Sequence, residues 1–301
     1  MAKIAFFGTG LMGEHMAGHL LGAGHSVVLV AHRNREPIER LLGRGATEAA
    51  TPADAARQTD IAITMLPTAR EVEDVLFGRR GLAGEMAPGY TVLDMGTSYP
   101  PDTRRIAANF IGMGGRFLDA PVTGGPSGAK AATLTIMVGG EEETLEAVRP
   151  VFEAMGRHIY HFGDVGTGHT AKLIQNMIAI IASAGIAEGL ALATAAGLDV
   201  EKFFTMLSSS TANSPALQYV AAKVFKRAFD EVGFRLDMAY KDIKQATALA
   251  REMTVPLPVA NGATELMQLA RALGFGHQDS SALIRGLETI LGIEVRGGLT
   301  G

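Results

Sequence analysis

The sequence predicts an α/β N-terminal domain built on a mostly parallel sheet, then an all-α C-terminal domain, with a long interdomain helix joining the two. Three observations carry this reading. At 301 residues the chain is about twice a usual domain length, so two cores are expected. Up to about residue 163, short β-rich apolar runs alternate with helical patterns, which is the signature of βαβ units. Beyond Gly163 the strand signals stop and only helix-length segments follow.

In chain order, the expected strands are Ile4–Phe7, Val27–Val30, Ile61–Leu66, Thr91–Asp94, Phe117–Asp119, Leu134–Val138 and His158–Phe162. The expected later helices are His169–Ala196, Val200–Leu207, Pro215–Val224, Met238–Arg251, Pro258–Leu273 and Ser280–Leu291. Ser214 before Pro215 reads as an N-cap with an N1 proline, and Ser280 or Asp279 can cap the last helix. A Gly-Asp-Val-Gly-Thr-Gly stretch at 163–168 marks the change of class. The expected divisions are therefore 1–163, a hinge and connecting helix over 164–196, and 197–301.

Composition removes several function classes. Lys plus Arg number 27 against 31 Asp plus Glu, a net charge of −4 with no basic run, so no nucleic-acid partner is expected. The absence of cysteine excludes disulfides, thiolate zinc sites and a thiol nucleophile, and fits a reducing compartment. The histidines form no cluster with acidic partners, so no metal is expected. The first apolar run stops at Gly8 and Gly10, with Glu14 following, before a signal-peptide core could form, and a cytoplasmic location is expected. Leu173 to Leu198 carries Glu188 as its only charge but lacks the aromatic and basic anchors of a spanning helix. It reads as a helix buried between domains, with no membrane partner.

The 37 glycines follow no short period, so their placement is informative. Directly after the first strand stands Gly8-Thr9-Gly10-Leu11-Met12-Gly13, then a helix pattern and a second strand. In this setting the motif reads as a dinucleotide-binding turn and makes the first domain Rossmann-like. Gly8 serves the tight turn, Gly10 the approach of a pyrophosphate, and Gly13 helix-to-strand packing. The alternative is a glycine-rich turn with no ligand. At the end of the second strand, Ala31-His32-Arg33-Asn34-Arg35, no acid occurs until Glu36. An acid there would accept from the 2′-OH of NAD, whereas the Arg33 guanidinium suits a 2′-phosphate. NADP(H) is therefore preferred and NAD(H) possible, with Asn34 beside the contact and Arg35 the weaker of the two arginines. Arg33 and Arg35 as solvated loop residues is the alternative. Met65, Leu66 and Pro67 after the third strand and Thr97 after the fourth should line the same crevice. Thr97 could equally be a turn or capping hydroxyl.

Asp119-Ala-Pro121-Val-Thr123-Gly124-Gly125-Pro126 is suited to exposing backbone N–H groups to an anion. A carboxylate-binding turn and a plain crossover loop both remain open at this point. Lys172 is the only Lys or Arg between Arg157 and Lys202, and Asn176 follows four residues later on the same helix face, so amine and amide can converge on one ligand. A single charge in an apolar helix is costly unless exposed or used. A lysine snorkelling at the helix start is the other reading. His169 could tune Lys172, although the pattern favours a solvated helix-start histidine.

Together these motifs resemble the β-hydroxyacid dehydrogenase family, which contains 3-hydroxyisobutyrate dehydrogenases, tartronate semialdehyde reductases and glyoxylate or succinic semialdehyde reductases. The resemblance covers essentially the whole chain. It rests on Gly8 to Met16, on Asp119 to Gly125, on Gly166-Thr-Gly168-His-Thr-Ala-Lys172-Leu-Ile-Gln-Asn176, and on Phe234 to Asp242. It implies that Lys172 is the acid/base and that Asn176 positions the substrate. Thr123, Gly124 and Gly125 would hold the substrate carboxylate, Lys241 would sit near cofactor and substrate, Phe234 would form a pocket wall, and Asp242 would orient its neighbours. His32 stands where relatives often carry Asn. The implied reaction is hydride transfer between a nicotinamide and a small 3-hydroxy acid. A homodimer or homotetramer is expected because the apolar helical half, with a 26-residue span carrying one charge, needs more cover than one small domain offers. A free lysine titrates near ~10.4, so Lys172 needs surroundings that lower this value. Rivals are an imine reductase-like enzyme, whose relatives usually replace the lysine, and a non-catalytic NADPH-binding scaffold.

Overall fold

The computed structural model describes residues 1–31 and 34–297. The chain divides into two compact units, Met1–Lys172 and Leu173–Gly301. The first contains strands β1 (Lys3–Phe7), β2 (Ser26–Val30), β3 (Thr47–Ala49), β4 (Ile61–Thr64), β5 (Thr91–Asp94), β6 (Arg116–Asp119), β7 (Val122–Thr123), β8 (Leu134–Val138) and β9 (Gly156–His161). Its helices are α1 (Gly13–Gly22), α2 (Glu36–Leu42), α3 (Pro52–Ala56), α4 (Ala69–Phe77), α5 (Pro100–Gly112), α6 (Gly125–Ala131) and α7 (Glu142–Glu153). Helix α8 (Thr167–Ala195) begins in the first unit and continues into the second. There α9 (Val200–Ser208), α10 (Pro215–Phe225), α11 (Leu236–Glu252), α12 (Pro258–Ala272) and α13 (Ile284–Leu291) follow.

Six strands form an all-parallel sheet in the order β3-β2-β1-β4-β5-β6. Successive residues along each strand face opposite sides of the sheet, and both sides are buried, which is why these strands read as continuous apolar runs. Ile4, Phe6, Leu29, Ile63 and Leu93 pack on one side with Met16 and Leu20 of α1. Ala5, Phe7, Val28, Ala62 and Val92 pack on the other with Val72, Leu76, Ile106 and Phe110. Strand order reverses between β1 and β4, so the crevice outside their carboxyl ends is the place where such a sheet receives a ligand.

Two strands escape the sequence pattern. β3 is a three-residue edge strand with exposed Thr47 and Glu48, and β7 is a two-residue strand inside the glycine-rich segment. β7 pairs antiparallel with β8, and β8 parallel with β9, so the expected single sheet is two. The segment expected as one helix over Ser280–Leu291 opens as a 3-10 turn, Ser280–Leu283, and becomes α-helical at Ile284.

In the second unit, Leu236, Ala239 and Ile243 of α11 pack with Met267 and Ala270 of α12 and with Ile284. The Ser214 hydroxyl accepts from Leu217 N–H, so the Ser-Pro pair does start α10. The Asp199 carboxylate likewise starts α9. The long apolar helix differs from expectation. Its most apolar stretch has a mean hydropathy of 1.8, enough by length and composition to cross a membrane, and only 33% of it is buried. Ala, Gly and Ile occur all around this helix, and the chain covers only part of its circumference. Ile178 and Leu192 remain 60% and 71% exposed.

Candidate active site

At the carboxyl edge of the first unit's large sheet, glycine geometry brings three strand ends together. Gly8 has φ of +99°, and a Cβ there would lie 2.3 Å from the Met65 carbonyl oxygen. A Cβ on Gly13 would lie 1.9 Å from the Gly8 carbonyl oxygen, so α1 can start against β1 only with glycine at that position. A Cβ on Gly96, just before Thr97, would lie 2.5 Å from the Leu66 carbonyl oxygen. The turns carrying Gly8 to Gly13, Met65 to Pro67, and Thr97 are therefore neighbours at the crevice between β1 and β4. Gly10 differs from Gly8 and Gly13. Apart from its two chain neighbours, no described residue comes within 4 Å of the place its Cβ would occupy.

The first turn of α1 has no side-chain cap, and Leu11 is 63% exposed. N–H groups without a side-chain cap, beside an open glycine, have the chemistry that a dinucleotide pyrophosphate needs. Thr9 and Met12 lie within the same turn. Thr97 does not start α5, whose first turn follows Tyr99. Asn34 Oδ1 accepts from Glu36 N–H at 3.1 Å, which engages that oxygen at the start of α2. Arg35 is exposed, as the solvated alternative expects, and is ion-paired. Its Nη1 and Nη2 donate to Glu48 Oε1 and Oε2 at 2.9 and 3.0 Å. The Glu48 carboxylate is held low by that guanidinium. Arg33 lies outside the described residues.

Thr123 in β7 is half-buried, and Gly124 and Gly125 follow with φ of +128° and +61°. Both glycines therefore hold backbone that L side chains rarely adopt. No side chain caps α6, which starts at Gly125. Near the start of α8, Lys172 is 7% exposed, which sets aside the solvated lysine, and Asn176 is 8% exposed one turn later. His169 is 0% exposed, which overturns the solvated helix-start histidine. Its Nδ1 lies 2.8 Å from Thr103 Oγ1, and its ring stands 3.8 Å from two carboxylates that sequence spacing could not associate with it, with Nε2 making no hydrogen bond among the described residues.

Within the second unit, Asn176 Nδ2 donates to Asp242 Oδ2 at 2.7 Å, and Lys241 Nζ lies 3.2 Å from Asp242 Oδ1. Asp242 is 2% exposed. A carboxylate can only accept, so the Asn176 amide must turn its nitrogen toward Asp242. Phe234 is half-buried against the helical core. Its segment is fixed by Asp279, a buried residue read from sequence only as a cap. Asp279 Oδ2 accepts from Tyr219 Oη at 2.6 Å, from Gly233 N–H at 2.9 Å and from Phe234 N–H at 3.2 Å. Burial, together with that carboxylate, pushes the Tyr219 hydroxyl up from its ordinary value.

No group of three His, Asp or Glu side chains arranged to hold a metal ion occurs among the described residues. Residues 3–163 match the family model of the NAD binding domain of 6-phosphogluconate dehydrogenase. Residues 166–287 match the NAD-binding model of NADP-dependent 3-hydroxyisobutyrate dehydrogenase. The chain is 34% identical over 296 residues to a 2-(hydroxymethyl)glutarate dehydrogenase of Eubacterium barkeri, covering 98% of each. It is 35% identical over 287 residues to the 2-hydroxy-3-oxopropionate reductase of Escherichia coli, covering 95% of this chain and 97% of that one. A crystal structure of 3-hydroxyisobutyrate dehydrogenase from Salmonella typhimurium superposes with a TM-score of 0.87 at 30% identity, covering 95% of this chain and 99% of that one. With both halves matched and relatives aligned over nearly their full lengths, the chain belongs to the β-hydroxyacid dehydrogenase family and is an oxidoreductase with an NAD(P)-binding domain.

Proposed function

We propose that the chain carries out reversible NADP-dependent hydride transfer between a small 3-hydroxy acid of the 3-hydroxyisobutyrate type and its semialdehyde. The observation that carries this reading is the pair of buried polar side chains, Lys172 and Asn176, one turn apart near the start of a largely apolar helix. The nicotinamide, when bound, supplies the hydride in reduction and accepts it in oxidation. Lys172 handles the proton. Its ammonium donates from Nζ to the carbonyl oxygen as that oxygen gains charge, and in the reverse direction the neutral amine removes the hydroxyl proton. Asn176, its amide fixed by Asp242, positions the reacting group. The N–H groups around Thr123, Gly124 and Gly125 take the substrate carboxylate, and Phe234 and Lys241 are the further substrate residues of this proposal. Gly8 to Gly13, Asn34, Met65 to Pro67, Thr97 and Lys241 hold the dinucleotide, and Arg33 reads its 2′-phosphate.

General acid–base catalysis contributes about 10²–10⁴-fold, so Lys172→Ala should lose at least that much in kcat. The assay is a panel of semialdehyde acids, their methyl esters and glyoxylate with NADPH and NADH. A variant keeping more than about a tenth of the activity on the best substrate ends the assignment. Preference for glyoxylate or succinic semialdehyde would move the chain within the family, since one methylene is worth only ~1–3 kcal/mol in a pocket. Retention of Lys172 speaks against an imine reductase, and a scaffold has no use for Lys172 and Asn176 together. Arg33→Ala should weaken NADPH roughly 10- to 150-fold and leave NADH nearly unchanged. An unchanged ratio of the two affinities removes the cofactor assignment. A cytoplasmic homodimer or homotetramer is the assembly we propose, with the exposed apolar residues of α8 covered by another copy.

A further inference from the structure

Groups from several elements anchor the start of α8. Asp119, at the end of β6, accepts from Gly166 N–H on Oδ1 at 2.6 Å and from His169 N–H on Oδ2 at 2.7 Å. Gly168 runs so close to the strand ends that a Cβ would lie 2.5 Å from the Met137 carbonyl oxygen and 2.6 Å from that of Asp119. Gly139 is its counterpart. A Cβ on Gly139 would lie 2.8 Å from Gly168 N, and one on Gly168 would lie 2.9 Å from Gly139 N.

The His169 ring is the remaining anchor. Thr103 Oγ1 has one proton and stands within hydrogen-bond distance of both the Tyr99 carbonyl, at 3.2 Å, and His169 Nδ1, at 2.8 Å, so it joins α5 to the ring in either tautomer. Nδ1 and Nε2 stand 3.8 Å from Asp119 Oδ2 and Asp94 Oδ2, two aspartates that are register partners at the ends of β5 and β6. Asp94 in turn accepts from Thr64 Oγ1 at 2.9 Å and from Gly96 N–H at 3.3 Å, holding the turn that leads to Thr97. Burial pushes the Asp119 carboxyl up from its ordinary value, while the His169 ring and the two N–H donors pull it down.

We propose that Asp119 and His169 are positioning residues for Lys172, fixing the rotation and height of the helix face that carries the amine. His169 lies three residues before Lys172, and residues three apart share a face. This inference rests on the reading of Lys172 as proton carrier. A displacement of about 1 Å at a reacting group costs on the order of 10²-fold in rate.

The test is a double-mutant cycle measured as kcat in the full-length enzyme. Asp119→Asn keeps the side-chain size but turns one acceptor into a donor facing a backbone N–H. It should lower kcat by about 10²-fold, with KM for the semialdehyde altered less than about threefold, and should add less than about threefold to Lys172→Ala. Equal losses in both backgrounds mean a structural role only and overturn the inference. High activity in Lys172→Ala alone overturns the reading of Lys172, and the positioning role with it. If Asp119→Asn does not fold, Thr103→Val takes its place, with an expected loss of about tenfold in the Lys172 background and none without the lysine. An unchanged kcat in that variant overturns the inference. A ¹⁵N spectrum of the ring gives a readout independent of turnover. The His169 ring signals should shift in Thr103→Val, and signals that stay at their wild-type positions overturn the Thr103 anchor.

Discussion

In the first unit the candidate binding groups are mostly backbone. The turns at Gly8 to Gly13 and at Thr123 to Gly125 offer N–H groups, and the glycines other than Gly10 are there because a Cβ would strike neighbouring backbone or because φ is positive. In the second unit they are side chains on helices, with Asn176, Lys241 and Asp242 linked by a 2.7 Å hydrogen bond and a 3.2 Å ion pair. A helix satisfies its own backbone, so it can offer a ligand little except side chains along its length. A parallel sheet ends in turns whose N–H groups are available. The two units should therefore fail differently when altered.

The largest effect expected is at Gly13. Its Cβ would lie 1.9 Å from backbone, which cannot rotate away, so Gly13→Ala should destabilise the first unit by about 1–3 kcal/mol or more and abolish dinucleotide binding. Gly10→Ala is the control within the same motif. With nothing within 4 Å of its Cβ, the melting temperature should stay near wild type while NADPH affinity falls. If both variants melt alike and bind alike, the separation of packing glycine from ligand glycine is wrong.

Next comes Asp242. Asp242→Ala leaves the Asn176 amide, 8% exposed, without the carboxylate it donates to. An unsatisfied buried donor costs about 1–3 kcal/mol. In calorimetry the variant should melt several degrees lower, at about 2–4 °C per kcal/mol, while dinucleotide affinity holds. Weakened dinucleotide binding without a stability loss would contradict this division of labour.

The smallest effect belongs to Glu14 on α1. Its carboxylate accepts from Arg40 Nε and Nη2 at 2.6 and 2.8 Å, and that hydrogen bonding holds it below its ordinary value, with burial opposing. A lowered folded value means stability that is present above the unfolded value near 4.5 and is lost as pH falls through the folded one. The pair is largely solvated, so Glu14→Gln should cost less than about 1 kcal/mol at pH 7. The gap between wild type and variant should close as the solution is acidified below the ordinary carboxylate range. A gap that widens on acidification contradicts the ion pair.

What could be read from sequence follows the same contrast. Gly8, Gly10 and Gly13 were legible because a turn between strand and helix imposes a fixed spacing on its glycines. Lys172 and Asn176 were legible because two polar residues four apart interrupt an apolar helix. The role of Asp242 came only through family resemblance, since it reaches Asn176 across 66 residues of chain. His169 was misread for the same reason. Its surroundings come from Asp94, Thr103 and Asp119, 50 residues or more away, and a lone histidine near a helix start carries no sign of them. β3 was missed because a three-residue edge strand with exposed polar side chains has no apolar period to detect.

The facing pair Gly139 and Gly168 bears on how this chain can be diversified. Each occupies the room that a methyl group on the other would need, and the intruding atom in each case would meet main chain. Neither position can drift while the other stays, and changing both only adds the two clashes together. Random libraries aimed at new substrates would lose every member altered at either site, whatever improvement it carried elsewhere. Holding these two codons constant and spending the diversity on Phe234 and Thr123 should raise the fraction of folded variants, a difference that a solubility screen of the two library designs can measure.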